Sequence, residues 1–405
     1  MTHKHPGTKV KTYSLPALFL LLVSLSVLTT GCADDPTSLG LKFLPSNETT
    51  GVRIFDSYID TMVMTSKNFK YRVNSYYSKN LIVGQTANYN SKALIKFSSL
   101  PEDKDSAVVN SAYLVLKYKN YYFPNAPSDS LGQISFDIYK IEQDKNLQTI
   151  TMDSVTSSAF GTVSQGSYTG IPTADTQEVD IALNTTLVKD WLERAADPNY
   201  SVPNYGIVLS PNASSTVLKA FYSSQTGSDV KPEIIVIYTK YGDTDTLYHD
   251  ICETMFLADA NLTPLPEKFY LQAGVSYDQM MRFDMSKIPT GATINDVHLI
   301  LTLDSASSIL TSTSNKGLAG AFVTDSAAIK TESFIFDGIV SGNLYTFRII
   351  TPFQRWLNNE SNQGIMIIPG AQTSNLDLFS FYNINASDPA KRPRIIIKYT
   401  PRITP

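Results

Sequence analysis

The chain reads as one unit written twice, and that duplication limits what it can fold into more than any other feature. Ala93-Leu94-Ile95-Lys96-Phe97 followed by Leu100-Pro101 returns as Gln279-Met280-Met281-Arg282-Phe283 followed by Ile288-Pro289. Val109-Asn110-Ser111-Ala112-Tyr113-Leu114-Val115-Leu116 returns as Ile294-Asn295-Asp296-Val297-His298-Leu299-Ile300-Leu301. The only two tryptophans, Trp191 and Trp356, fall at matching places, and each is followed by a glycine-containing strand, Tyr205 to Leu209 and Gln363 to Ile367. Each unit closes on a proline and a β-branched run, Pro232 to Thr239 and Pro393 to Thr400. A repeat of this length means two copies of one fold, each burying its own core.

Both copies alternate apolar and polar residues with the period of a half-buried strand. With 23 tyrosines and 19 phenylalanines, and only 17% charged residues, the chain favours strands over helices. The expected fold is all-β, two tandem antiparallel β-sandwich, jelly-roll-like domains. One short helix is expected in each. In the second unit Thr351 is placed to cap, Pro352 to open the helix, and Phe353, Trp356 and Leu357 to share a face. In the first, Thr186 takes the place of Thr351, with Val188, Trp191 and Leu192 on the equivalent face. Trp191 and Trp356 are thus read as structural anchors of the cores. The repeat places module one at residues 52–239, a polar linker at 240–245 and module two at 246–400. Module one is longer, with insertions at Tyr121–Gly132 and Asp144–Gln177, and loops of that size often carry binding.

The N-terminus has a different character. Lys4, Lys9 and Lys11 precede an apolar run from Leu15 to Leu28, which is shorter than a membrane span requires. It ends in Leu28-Thr29-Thr30-Gly31-Cys32, which resembles the lipobox of bacterial lipoproteins, with the apolar residue one place further from the cysteine than usual. That resemblance implies a signal peptide at residues 1–31 and lipidation of Cys32. Asp34-Asp35 is similar to the surface-export signal of Bacteroidetes lipoproteins. It implies an outer-membrane, lipid-anchored and surface-exposed protein, touching the membrane through lipid alone. Residues 32–51, with Pro36, Gly40, Pro45 and Gly51, read as a tether.

The landmarks of the repeat also resemble the DNRLRE-type module, a β-sandwich related to carbohydrate-binding modules of exported bacterial proteins. The matching stretches are Val83-Gly84, Asn88-Tyr89, Met281-Arg282-Phe283-Asp284, Pro289-Thr290-Gly291-Ala292-Thr293-Ile294 and Pro393-Arg394-Ile395-Ile396-Ile397-Lys398-Tyr399. They cover nearly all of residues 52–400, twice, and module one departs from them at Ile95-Lys96-Phe97-Ser98. Because the motifs are structural, the resemblance implies the fold more than an activity.

No catalytic motif appears in the sequence. Beyond the leader the only histidines are His249 and His298, and no zinc-protease, serine-hydrolase or phosphate-loop motif occurs. A carboxylate pair for glycoside cleavage has no sequence spacing to recognise. No cofactor is expected. Calcium is possible at Asp243, Asp245 and Asp250, or at Asp259 and Asn261, although none has a known loop spacing. Cys252 reads as a small buried hydrophobe. An acidic balance of 37 acids against 33 bases argues against nucleic acid. The expected partner is polysaccharide, with Tyr76, Tyr77, Tyr121 and Tyr122 as candidate glycan-binding residues, one of each pair facing outward. The alternatives are a structural or adhesive protein that contacts other surface proteins and, further off, a polysaccharide-cleaving enzyme.

Overall fold

The computed structural model describes residues 51–124, 132–275, 277–311 and 316–402. Cys32, the leader and all but the last residue of the tether lie outside the described residues. In chain order the first unit forms β1 (Arg53–Asp56), α1 (Ser57–Asp60), β2 (Met64–Lys70), β3 (Asn80–Gln85), β4 (Tyr89–Phe97), β5 (Val108–Phe123), β6 (Ile134–Ile141), β7 (Phe160–Gly170), β8 (Glu178–Ala182), α2 (Thr185–Ala196), β9 (Ile207–Pro211), β10 (Leu218–Tyr222) and β11 (Glu233–Lys240). The second forms β12 (Asp243–His249), β13 (Cys252–Ala260), β14 (Lys268–Gln272), β15 (Tyr277–Phe283), β16 (Thr293–Thr302), β17 (Leu318–Asp325), β18 (Lys330–Ser341), β19 (Leu344–Arg348), α3 (Ile350–Leu357), β20 (Ile365–Pro369), β21 (Leu378–Tyr382) and β22 (Arg394–Thr400). From β3 and β14 onward the two halves match element for element. The protein is all-β, with two antiparallel sheets of eleven strands that curl over to enclose their cores. A third helix, the single turn α1, has no counterpart in the sequence reading.

The strands do not divide where the sequence does. Residues 240–245 are not a linker but part of a hairpin, in which β11 and β12 pair from Ile234↔His249 to Lys240↔Asp243. Tyr241 and Gly242 turn it with φ of +56° and +94°, the left-handed pair that a two-residue type I′ turn needs. β13 then lies along β4 from Cys252↔Phe97 to Ala260↔Tyr89. The opening strands of the second unit therefore complete the first sandwich. The second sandwich is completed by the opening strands of the first unit. β1 pairs with β22 (Arg53↔Tyr399 to Asp56↔Ile396), and β2 pairs with β15 (Met64↔Phe283 to Lys70↔Tyr277). The pairing partners are equivalent in this exchange, since β22 corresponds to β11 and β15 to β4. One N-terminal strand pair thus closes a module more than two hundred residues away. Arg394 fastens the closure by donating through Nε to Asp56 Oδ1 at 2.9 Å and through Nη2 to Asp56 Oδ2.

Each tryptophan sits where its helix meets a core. Trp191 is 1% exposed and packs near Phe97, and Trp356 is 7% exposed and stacks with Phe283 and Phe322. The caps differ from expectation. Asn184, not Thr186, caps α2 by accepting from the Thr186 amide. α3 begins at Ile350 without a side-chain cap, so Thr351 and Pro352 lie inside its first turn. The helix still starts because Pro352 needs no hydrogen bond there.

Within the long insertion expected at residues 144–177, Phe160–Gly170 forms β7, the counterpart of β18, and only the part before it is added cover. Leu147 and Ile150 bury against Leu94, Val208, Met255 and Leu257 on the outer face of the sheet. Further on, Pro172 accepts a 2.7 Å hydrogen bond from Lys219, whose ammonium lies over the Tyr118 ring and is pushed by burial down to about 8. Tyr121–Phe123 is not loop either but the end of β5, bent at Asn120, where its register on β10 shifts.

The glycine after each helix has one cause. Gly206 and Gly364 adopt φ of +93° and +96°, and a Cβ on either would strike the carbonyl oxygen of Ile95 or of Met281, which are equivalent residues. Gly206→Ala and Gly364→Ala should each cost about 1–3 kcal/mol, read as a lower urea midpoint with unchanged slope.

Candidate functional site

The two sandwiches meet along a seam with its own apolar core. Module one contributes Ile82, Phe123 and Leu218, and module two contributes Val275, Leu376 and Leu378. Tyr121 is buried here, and its hydroxyl accepts the Leu376 amide at 2.9 Å. Tyr122, on the opposite face of β5, is half-buried beside Lys219. Tyr121 presents no ring to a ligand, because module two rests on its face of the strand, and Tyr122 is only partly exposed.

Tyr76 and Tyr77 lie in the crossover 71–79, which leaves β2 and runs along β13 to reach β3. Three contacts bind it there. Arg72 Nη1 meets Asp259 Oδ1 at 3.0 Å, Ser75 Oγ donates to the Phe256 carbonyl at 2.5 Å, and Tyr76 donates to Glu253 at 3.1 Å. Burial and Glu253 both push the Tyr76 phenol up. Tyr77 is 73% exposed, with its ring edge-on to Tyr76 at 5.0 Å. Of the four tyrosines singled out from the sequence, only Tyr77 offers a ring to solvent. Tyr71, at the other end of the same crossover, is 46% exposed. Sequence patterning could not single it out, because its exposure depends on where β2 docks.

Beside this crossover, between the β3–β4 turn and the end of β13 in the first sandwich, lies a cleft of about 180 Å³, lined by Thr86, Asn88, Asn90, Asp259 and Asn261. The β3–β4 turn holds one wall through Thr86 N to the Tyr89 carbonyl, and the Asn261 amide donates to the Asn88 carbonyl at 2.9 Å. The side chains of Asn88 and Asn261 are exposed. Burial would raise the Asp259 carboxyl, but its bonds to Arg72 and Lys70 hold it below the usual carboxylate range. Asp259 is therefore charged and fixed, and the asparagines supply neutral donors and acceptors around it. Hydroxylated ligands are recognised by groups of this kind.

The remaining polar candidates do not converge on one another. His249 Nε2 lies 2.7 Å from the Ser98 carbonyl, and His298 Nε2 lies 2.9 Å from Asp296, which Arg348 also holds. Burial pushes the Cys252 thiol up to about 12, so it stays protonated. Asp245 accepts from Tyr238, and no group of three or more His, Cys, Asp or Glu arranged to hold a metal occurs among the described residues. No protein-family model and no curated protein matches the chain.

Tyr121→Phe would leave the buried Leu376 amide unpaired. It should cost about 1–3 kcal/mol by thermal unfolding and leave the exposed surface unchanged. Asp278 behaves differently. It is fully buried opposite Phe69 of β2, and burial pushes its carboxyl up to about 7; among the described residues one oxygen meets only Gln372 at 3.5 Å and the other has no partner. The folded state therefore holds this proton between about pH 4 and 7 while the unfolded chain releases it, so stability falls as pH rises through that window. Asp278→Asn should raise the melting temperature clearly at pH 8 and hardly at pH 4.

Proposed function

We propose that this chain is an exported lipoprotein, anchored to the outer membrane through Cys32 and facing the exterior, that captures polysaccharide without cleaving it. The observation that carries this reading is the cleft together with the two tyrosines, Tyr71 and Tyr77, at the ends of the adjoining crossover. Rings that stack and amides that hydrogen-bond are the two elements an uncharged sugar chain requires. The resemblance to DNRLRE-type modules and the lipobox-like leader point the same way.

Native affinity electrophoresis against a panel of soluble polysaccharides tests this. The wild-type chain should be retarded by at least one of them. Tyr71→Ala with Tyr77→Ala should weaken retention about tenfold or more, with an unaltered melting curve. Migration unaffected by every polysaccharide would refute the proposal.

A further inference from the structure

The end of the molecule where the chain enters the fold differs from the equivalent end of the other module. In module one, β12 and β13 are joined by Asp250 and Ile251 alone. In module two the equivalent strands, β1 and β2, are joined by residues 57–63, which include α1. Between Val52 and Val63 this addition exposes a run of apolar side chains, with Ile54 64%, Tyr58 58%, Ile59 77% and Val63 62% exposed. Beside them a groove of about 720 Å³ runs between the added bridge and residues 384–394, lined by Met62, Met64, Ile384, Pro389 and Pro393. A soluble surface rarely concentrates apolar side chains in this way unless something covers them.

The charges around the groove are mixed, with Asp60 and Asp284 set among Arg53, Lys287 and Arg392. Asp56 is neutralised by Arg394, and Asp388 lies 3.6 Å from Lys391. Asp60 accepts the Asp56 amide. Arg392 donates to the Ala386 carbonyl and Lys287 to the Asp60 carbonyl, and neither forms an ion pair with a carboxylate among the described residues. Arg53 is exposed at the start of β1. Residues 32–51 lead straight into this end, so a lipid on Cys32 would bring it to within a few tens of ångströms of the bilayer.

We propose that this end is a lipid-contact face. Ile54, Tyr58, Ile59 and Val63 enter the interfacial layer, while Arg53, Lys287 and Arg392 meet anionic headgroups. The proposal rests on the reading of Cys32 as the lipidated residue. It gives that anchor a second contact, which sets how the two-module body stands on the membrane. The modest apolar area makes the contact weak by itself and effective once the tether has raised its local concentration.

The test uses the chain from Ala33 onward with no lipid, so the face is read without the anchor. Co-sedimentation is measured with vesicles of phosphatidylethanolamine and phosphatidylglycerol, and with vesicles of phosphatidylcholine alone. Binding is expected on the anionic vesicles, weaker in high salt, and at least fivefold weaker on phosphatidylcholine. Ile59→Asp with Val63→Asp should reduce it at least tenfold, whereas Val163→Asp, at an exposed site in module one, should leave it unchanged. Thermal melts confirm that each variant folds. Absence of sedimentation with either vesicle overturns the proposal. So does binding that survives the double substitution, or a double substitution whose only effect is to dissolve a dimer in solution. Incorporation of labelled palmitate into the full chain, lost in Cys32→Ser, tests the anchor separately.

Discussion

The pairing of β1 with β22 and of β2 with β15 is the interaction on which the rest of the structure depends. Without those strands the second sandwich would lack one edge, and Asp278 and its neighbours on β15 would lie bare. The first sandwich is closed by strands that follow it directly in the chain, through a two-residue turn. The second must wait for strands made at the very beginning. The loop closed by that contact spans nearly the whole fold, so its ordering entropy is met only by the extensive pairing and by the Asp56–Arg394 clamp. This topology also determines that the two modules form one body. The crossover 71–79 has to return from module two to module one, and it does so pinned to β13.

The seam follows from the same fact. Two sandwiches that each donate strands into the other's half of the sequence cannot swing freely, and the apolar residues between them have become a third core. Tyr121 shows the consequence most directly. A tyrosine with a solvent-facing place on an isolated sheet is here sealed under module two, with its hydroxyl satisfied by a main-chain amide.

Duplication provides an internal comparison. Where the copies agree, the cause is packing. Trp191 and Trp356 fill the same gap, and Gly206 and Gly364 avoid the same carbonyl. Where they differ, the difference concerns either cover or contact. The residues inserted before β7, with Leu147 and Ile150, cover apolar surface on module one. The bridge between β1 and β2 does the opposite, since it exposes apolar surface at the end where the chain enters.

Much of this architecture was legible in the residues. Period-two alternation is a local property, so the strands, the all-β class and the repeat follow from sequence, as do the two buried tryptophans at helix spacing. The helix caps were less legible, because asparagine and threonine compete for the same role within two positions. The candidate site was scarcely legible. Tyr76, Tyr77, Tyr121 and Tyr122 look alike in sequence, yet only Tyr77 is well exposed, and Tyr71 was not distinguishable at all. Sequence by itself determined that two like sandwiches would form. Only the tertiary structure decided which strands complete which sandwich. Backbone hydrogen bonds carry no residue identity, so repeats with equivalent strands can be closed in either of two ways, and sequence patterning alone does not distinguish them.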